Sequence, residues 1–384
     1  MAVKIAVYIG RFQPFHNGHA HVIQQALAQN DYAIVLVGSA YQAPTIKNPF
    51  SYMDRVDMIH AWEVATFPGR VGRIFYRPVV DHPYNNAKWF DNVQTTVQQV
   101  IEKEFDKETN GPFQITLYGS QRDESTWYLE SFPQWGKAFV EQFPLDSNLS
   151  ATSLRDLLFT VDIDKIRPNV PPTTEHIIAS WMLTGKPEEE TFSPQFLRLR
   201  EEYEHIKKYK KQWAAAPYAP TFVTTDAVVV QSGHVLVVER GNLPGKGLWA
   251  LPGGFLNQNE RMLDGAIREL LEETGIRLAD GKRGKEITED ILRNAVKGEK
   301  VFDHPDRSLR GRTITNAFFF RLDDTKSLPK VKGQNVPDYE SGGKTIVETL
   351  SARWIPISEA RYHTDKWFED HHAIVDTMLG LIKD

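Results

Sequence analysis

The sequence predicts an α/β protein in two parts: a doubly wound parallel sheet, then an α/β sandwich around a mixed sheet. Three observations lead there. Strand-like and helix-like segments alternate through the first half, the order of a parallel sheet with crossover helices. The second half opens instead on two strand-like runs joined by a short turn, followed by one clear helix. The chain also has 384 residues, more than the ~250–300 at which a single core stops growing.

In the first half, residues 5–9, 33–37, 74–80 and 115–118 are short apolar runs, and 19–29, 53–64 and 89–105 have helical character. Ligands of such sheets lie at the carboxyl ends of the strands. A break follows at 183–191, LTGKPEEET. Ser193 and Pro194 then read as the N-cap and first turn of a helix. Its acids precede its bases, ending in Lys207, Lys208, Lys210 and Lys211, which suits the helix dipole. That basic cluster reads as a solvated helix end. AAAPYAP, 214–220, closes the connection. The expected division is 1–183, a helix-bearing linker over 184–217, and 218–384. In the last part, strands over 221–230 and 235–239 flank a Gln231-Ser232-Gly233 hairpin turn, with a helix over 261–274 and a strand over 313–322. Residues 341–344, SGGK, read as a plain loop.

Composition narrows the function. Hydrophobic residues at 41% and charged residues at 25% are ordinary for a soluble globular chain, which excludes disorder, collagen and coiled coil as the main state. Lys plus Arg total 45 against 50 Asp plus Glu, a net charge of −5. A chain with that balance is not built to coat nucleic acid or a membrane, so small molecules are the expected partners, with a homo-oligomer left open. With no cysteine, disulfides, thiolate nucleophiles and Cys-ligated metals drop out. No apolar run approaches the ~20 residues of a membrane helix. The first residues read as a buried strand rather than a signal peptide, so the expected location is cytoplasmic.

The first chemical signal is Gly10-Arg11-Phe12-Gln13-Pro14-Phe15-His16-Asn17-Gly18-His19, between a strand and a helix. A helix start offers unpaired N–H donors and the positive dipole end. Gly18 lets a phosphate approach the backbone, and His16 and His19 fall on one side of the turn, able to donate to phosphate oxygens. A polyphosphate site follows. The segment resembles the HxGH motif of the nucleotidyltransferases, whose sheet is Rossmann-like. Residues 149–155, LSATSLR, resemble the second motif, ISxTxxR. The resemblance implies that Ser150 and Thr152 open a helix and that Arg155 grips departing pyrophosphate. Class I aminoacyl-tRNA synthetases share the histidine motif, but no KMSKS-like loop is present. GRFQPFH, Lys47-Asn48-Pro49-Phe50-Ser51 with Arg55, and Asp81 with Asn86-Ala87-Lys88-Trp89 are similar to the archaeal-type nicotinamide mononucleotide (NMN) adenylyltransferases. Here Lys47 replaces a usual Arg, and Arg155-Asp156-Leu157 replaces a run of arginines. The family then implies ATP contacts from Gly10, Arg11, Phe12, His16, Gly18, His19, Lys47, Ser150, Thr152 and Arg155. It implies NMN contacts from Asp81, Asn86 and Trp89, with His16, His19 and Arg155 acting in catalysis beside Mg²⁺. An indole face suits a flat cationic ring, and an Asn suits a carboxamide.

The second signal is Gly254, five residues, Glu260, seven residues, then Arg268-Glu269-Leu270-x-Glu272-Glu273-x-Gly275-Ile276. At about 100° per residue, Glu269, Glu272 and Glu273 share one helix face, while Leu263, Ala266, Ile267, Leu270 and Leu271 lie opposite. Crowded carboxylates call for a cation, and hard oxygens suit Mg²⁺ or Mn²⁺. Gly275 suits the helix C-terminus. The pattern matches the Nudix box, which implies a Glu260–Arg268 ion pair, catalysis and metal binding by Glu269, Glu272 and Glu273, and structural roles for Gly254 and Gly275. Trp249 before the box, and Arg307, Arg310 and Arg312 after it, resemble Nudix proteins that handle ADP-ribose. The arginines have an equal reading as exposed loop residues. His363, Asp365, His371 and His372 read as surface, since no ligand spacing is completed. No residue stands out as the general base.

The whole chain resembles the bifunctional NMN adenylyltransferase/Nudix hydrolases. That implies NAD and pyrophosphate from NMN and ATP, and AMP with ribose 5-phosphate from ADP-ribose, with Mg²⁺ or Mn²⁺ in both domains. Two alternatives stay open: a Nudix domain that senses ADP-ribose without cutting it, and adenylyl transfer to another phosphate.

Overall fold

Strand β1, Val3–Gly10, is buried along most of its length, the mark of a central strand covered on both faces. A computed structural model describes residues 2–105, 112–120, 124–141, 150–184, 191–276, 288–324, 327–333, 336–337, 345–346 and 349–381. Leu149 and the SGGK loop lie outside the described residues. The chain divides into two compact units, Met1–Glu201 and Glu202–Asp384.

In the first unit β1 is followed by α1 (Asn17–Gln29), β2 (Tyr32–Val37), α2 (Tyr52–Thr66), β3 (Ile74–Pro78), α3 (Asn86–Glu104), β4 (Phe113–Ser120) and β5 (Gly136–Val140). The strands lie in the order β3-β2-β1-β4-β5, and every pairing is parallel. The order reverses between β1 and β4, so a ligand crevice opens where β1 ends at Gly10. α3 begins at Asn86, three residues before the expected start, because Asn85 caps it by accepting from Lys88 N at 3.0 Å. β5 was not read from the sequence. It is a short edge strand, GKAFV, mostly exposed, and so lacks an apolar signature. Two further helices are α4 (Ala151–Thr160) and α5 (Pro172–Met182).

The helix α6, Pro194–Gln212, starts as expected, with the Ser193 hydroxyl accepting from Phe196 N at 3.2 Å. It does not stand apart as a linker, because the unit boundary falls inside it. Phe196 and Leu199 are fully buried in the first unit, where Phe196 packs on Phe159 and Trp181. Glu202 and Ile206 are buried in the second.

The second unit carries β6 (Thr221–Gln231), β7 (His234–Arg240), β8 (Trp249–Ala250), β9 (Gly253–Phe255), α7 (Met262–Thr274), β10 (Val296–Phe302), β11 (Arg312–Arg321), β12 (Thr349–Pro356) and α8 (His371–Gly380). The β6–β7 turn places Ser232 and Gly233 at φ 45° and 73°, the two-residue hairpin geometry that matches strand twist. β11 runs parallel to β6 while β7, β9, β10 and β12 pair antiparallel, so the sheet is mixed. α7 buries Ala266, Ile267 and Leu270 against Ala227, Val229, Leu236, Phe318 and Phe320. That is the apolar face expected from its helical spacing. Among the described residues no helix is long and apolar enough to cross a membrane.

Leu270 is fully buried at the centre of that interface. Leu270→Ala is expected to destabilise the second unit by about 3 kcal/mol, transfer loss plus cavity. Urea unfolding followed by tryptophan fluorescence checks it; an unchanged midpoint overturns the assignment of α7 to the core.

Candidate active sites

At the end of β1 the chain turns sharply. Phe12 has a positive φ of 52° and folds back beneath Gly10, where a Cβ would lie only 2.8 Å from the Phe12 ring. Phe12 is buried and meets His19 edge-on at 4.8 Å, so it supports the imidazole from below. His16 caps α1, and the two histidines bond reciprocally: His19 N donates to His16 Nδ1 at 3.4 Å, and His16 N donates to His19 Nδ1 at 3.3 Å. Nδ1 accepts in both rings, which places the proton of each neutral imidazole on Nε2. The rings stack at 3.6 Å. Gly18 lies in the same first turn.

The second motif is brought onto the first. Arg155 Nη1 donates to Gln13 O at 2.9 Å across 142 residues, and its Nη2 donates to Thr152 Oγ1 at 3.1 Å. Ser150 caps α4, its hydroxyl accepting from Ser153 N at 3.2 Å. Gln13 ties in the segment after Lys47: its side chain donates to Phe50 O at 2.8 Å and accepts from Phe50 N at 3.0 Å. Arg55 is the hub of the crevice. It donates to Arg11 O at 2.8 Å, Gly38 O at 2.6 Å, Ser39 O at 3.3 Å and Ser51 O at 3.0 Å. Both Arg55 and Arg155 are lowered to about 10, chiefly by burial; the Arg11 charge contributes to the lowering, and the Asp81 and Asp54 charges oppose it at Arg55. Among the described residues both bond only to carbonyls and a hydroxyl, so their charges are not cancelled by a carboxylate contact. Such a crevice suits a polyanion. Gln13 and Arg55 carry out this bracing although the motif reading gave them no contact.

The expected NMN residues are only partly brought together. Asp81 accepts from Ser39 N at 3.2 Å, Ser39 Oγ at 2.6 Å and Gln42 Nε2 at 3.1 Å, so its carboxylate is spent on the loop after β2. Asn86 is exposed at the start of α3, and Trp89 is half-buried one turn on. Trp89 meets Tyr128 at 5.9 Å, and the Tyr128 hydroxyl donates to Ile9 O at 3.2 Å, which ties the indole to the end of β1. No sequence signal marked Tyr128.

In the second unit Arg268 organises the box. It grips Glu260 at 2.7 and 3.0 Å, and this hydrogen-bonding holds the Glu260 carboxyl below its usual range. Its Nη1 also reaches Glu269 at 2.8 Å and Glu272 at 3.0 Å. The three carboxylates share a face as expected, but an arginine serves two of them as counter-charge. Glu273 accepts instead from Gly253 N at 2.9 Å and Thr349 Oγ1 at 3.3 Å. A Cβ at 254 would lie 2.5 Å from Glu269 Oε1, so any side chain there would displace that carboxylate. Gly275 closes α7 at φ 50°. Among the described residues no three acidic or histidine side chains already converge on one point. The donor set still fits a hard divalent cation: Glu269 and Glu273, both buried, flank a glycine pair, with Glu272 beside them.

The arginines expected to meet ADP-ribose are neither equivalent nor simply exposed. Arg307 is buried and spends its fork on Asp370, at 2.9 and 3.0 Å. Arg310 lies over the Phe255 ring at 5.3 Å and 3.9 Å from Glu369. Arg312 donates to Asp303 O. Trp249 is buried with Arg353 and Lys366 against its ring, at 5.1 and 4.9 Å, so it packs rather than faces a ligand. His371 is not a surface residue: its Nδ1 accepts from Leu251 N at 3.0 Å, and burial drives its pKa down to about 3.

Together, fold and sites define a nucleotidyltransferase-type unit joined to a Nudix unit. Family models agree: cytidylyltransferase-like over residues 7–78 and NUDIX domain over 220–377. The chain is 37% identical over 154 residues to the nicotinamide/nicotinic acid mononucleotide adenylyltransferase of Acinetobacter baylyi, covering 40% of this chain and 74% of that one. It is 40% identical over 89 residues to the nicotinamide-nucleotide adenylyltransferase of Saccharolobus solfataricus, spanning 23% of this chain and 51% of that relative. A crystal structure of a bifunctional NMN adenylyltransferase/ADP ribose pyrophosphatase from Francisella tularensis, complexed with AMP and Mn, superposes with a TM-score of 0.82. It is 32% identical, over 98% of this chain and 99% of that one. The chain belongs to the family of bifunctional NMN adenylyltransferase/ADP ribose pyrophosphatases.

Arg307→Ala leaves the buried Asp370 carboxylate without its counter-charge. A loss of about 3–5 kcal/mol in stability is expected, measured by chemical denaturation. Replacing both partners with leucine is expected to restore most of it. Wild-type stability in Arg307→Ala overturns the structural role.

Proposed function

We propose that the first unit joins NMN to ATP, giving NAD and pyrophosphate, and that the second hydrolyses ADP-ribose to AMP and ribose 5-phosphate. The contact that carries the first reading is Arg155 on Gln13 O, which adds the second motif to the histidine turn. A 5′-phosphate oxygen of NMN attacks the α-phosphorus of ATP, and the bond to pyrophosphate breaks. No protein nucleophile is needed, so positioning and charge supply the rate. His16 and His19 donate from Nε2 to phosphate oxygens, with Ser150, Thr152 and Gly18 at the helix starts. Arg11, Lys47 and Arg155 supply positive charge, and Gly10 keeps the turn tight. Trp89 stacks on the nicotinamide, and Asn86 pairs with its carboxamide. Phe12 and Asp81 position their neighbours.

In the second unit Glu269, Glu272 and Glu273 would hold Mg²⁺ or Mn²⁺, and Mg²⁺ is also proposed for the first. Bound there, the cation neutralises phosphate charge. Arg268 and Glu260 orient the helix and its carboxylates, and Gly254 lets Glu269 lie against the backbone. Water attacks one phosphorus of the diphosphate, and the bridging P–O bond breaks. The proposed partners are small nucleotides of the cytoplasm, the compartment proposed for the chain.

His19→Ala is expected to reduce NAD formation at least ~100-fold while ADP-ribose hydrolysis stays near wild type. Chromatography of both reactions on one preparation checks this. Parallel collapse of both in a folded variant overturns the two-site reading.

Glu273→Gln keeps an acceptor for Gly253 N but removes a charge. ADP-ribose turnover is expected to fall at least ~100-fold, roughly 3 kcal/mol in the barrier, with little change in melting temperature. A Mn²⁺ titration beside a melting curve tests it. Wild-type turnover would refute the ligand role.

A further inference from the structure

The second unit holds a cation outside the box and outside the Arg307–Arg312 segment. Arg240 ends β7, and its surroundings fix it from several sides. Its backbone N–H donates to Leu248 O at 2.9 Å, and its carbonyl accepts from Gly247 N at 2.8 Å. Its Nε donates to Pro244 O at 2.9 Å, and its Cζ lies 4.0 Å from the centroid of the Phe368 ring. The connecting loop is held against that ring by Gly245, at φ +76°, where any Cβ would overlap Phe368. The buried Glu202 accepts from Gly245 N at 3.1 Å.

The guanidinium is thus stacked and anchored through Nε alone. Among the described residues neither Nη1 nor Nη2 has an acceptor, and no carboxylate pairs with the group. The neighbouring cations differ: Arg307 is consumed by Asp370, and Arg310 leans on Phe255 and Phe368. Strand pairing sets Arg240 opposite Thr349, and the Thr349 hydroxyl touches Glu273 at 3.3 Å. The open fork therefore stands on the same sheet face as the box carboxylates, about one strand spacing from Thr349. Burial and the Arg310 charge disfavour a cation there, and the Glu369, Glu273 and Glu202 charges favour it without any of them lying within ion-pair distance. A rigid fork with two open donors fits two oxygens of one phosphate.

We propose that Arg240 grips a phosphate of the nucleoside-diphosphate substrate in the second unit, the task the sequence motif gave to Arg307, Arg310 and Arg312. This rests on the reading of that unit as a Nudix hydrolase. Preorganisation is the reason: a fork already stacked and anchored loses little freedom on binding.

The test uses the full chain. Calorimetry with ADP-ribose and with AMP, in chelator and then in Mn²⁺, is run beside steady-state hydrolysis. Arg240→Gln is expected to weaken both ligands and raise KM roughly 10- to 100-fold, the scale of charged hydrogen bonds. Its kcat is expected to change less. Its melting temperature is expected to fall only modestly, through the lost Pro244 bond and Phe368 stacking, because no ion pair is lost. Arg240→Lys should recover part of the affinity, since a point charge replaces the fork. NAD formation by the same samples reports that the first unit is unaffected, and the melting curve reports on the second. Wild-type affinity and KM in Arg240→Gln overturn the proposal. So does a parallel fall of melting temperature and kcat in both variants, which would make Arg240 a packing residue. A wild type that binds and cleaves no nucleoside diphosphate would instead bring down the hydrolase reading, and this proposal with it.

Discussion

Buried guanidinium groups that bond to neutral acceptors hold the first site together. Arg55 gathers carbonyls from the turn after β1, the end of β2 and the start of α2. Arg155 draws α4 onto the histidine turn through one carbonyl. A carbonyl satisfies an N–H without cancelling a charge, so the crevice keeps its positive potential while staying rigid. Carboxylate partners in the same places would have braced the loops equally well and neutralised the field. Burial is what lowers both arginines.

The second unit uses arginine differently. Arg268 bonds to three glutamates and keeps a crowded acidic helix face stable before any cation arrives. Arg307 is paired one to one with Asp370 and makes a strut. Arg240 is anchored without being neutralised. Three arginines within one unit thus act as organiser, strut and open donor, set by what each fork touches. Close backbone approach matters as much. Gly254 admits the Glu269 carboxylate where any side chain would collide, as Gly10 admits the Phe12 ring in the first unit.

Both motifs were legible from spacing alone, because each is local. His16 and His19 sit in one helical turn, and Glu269, Glu272 and Glu273 on one helix face, so chain geometry brings them together. The central buried strands were legible for a similar reason: their apolar runs declare burial on both faces. The edge strand β5 and the strands β10 and β12 were not, since a strand with one or both faces in solvent has a weak apolar signal.

The sequence by itself determined the two-part α/β architecture, the phosphate turn, the acidic helix face and the family resemblance. Only the tertiary structure decided which charges are open. In the sequence Arg307 and Arg240 are both basic residues near glycines, yet one lies on Asp370, 63 positions away, and the other on Phe368. His371 and His372 are adjacent in sequence, and only His371 is buried as an acceptor for Leu251 N. Desolvation and counter-charge come from segments distant along the chain, and local spacing carries no record of them.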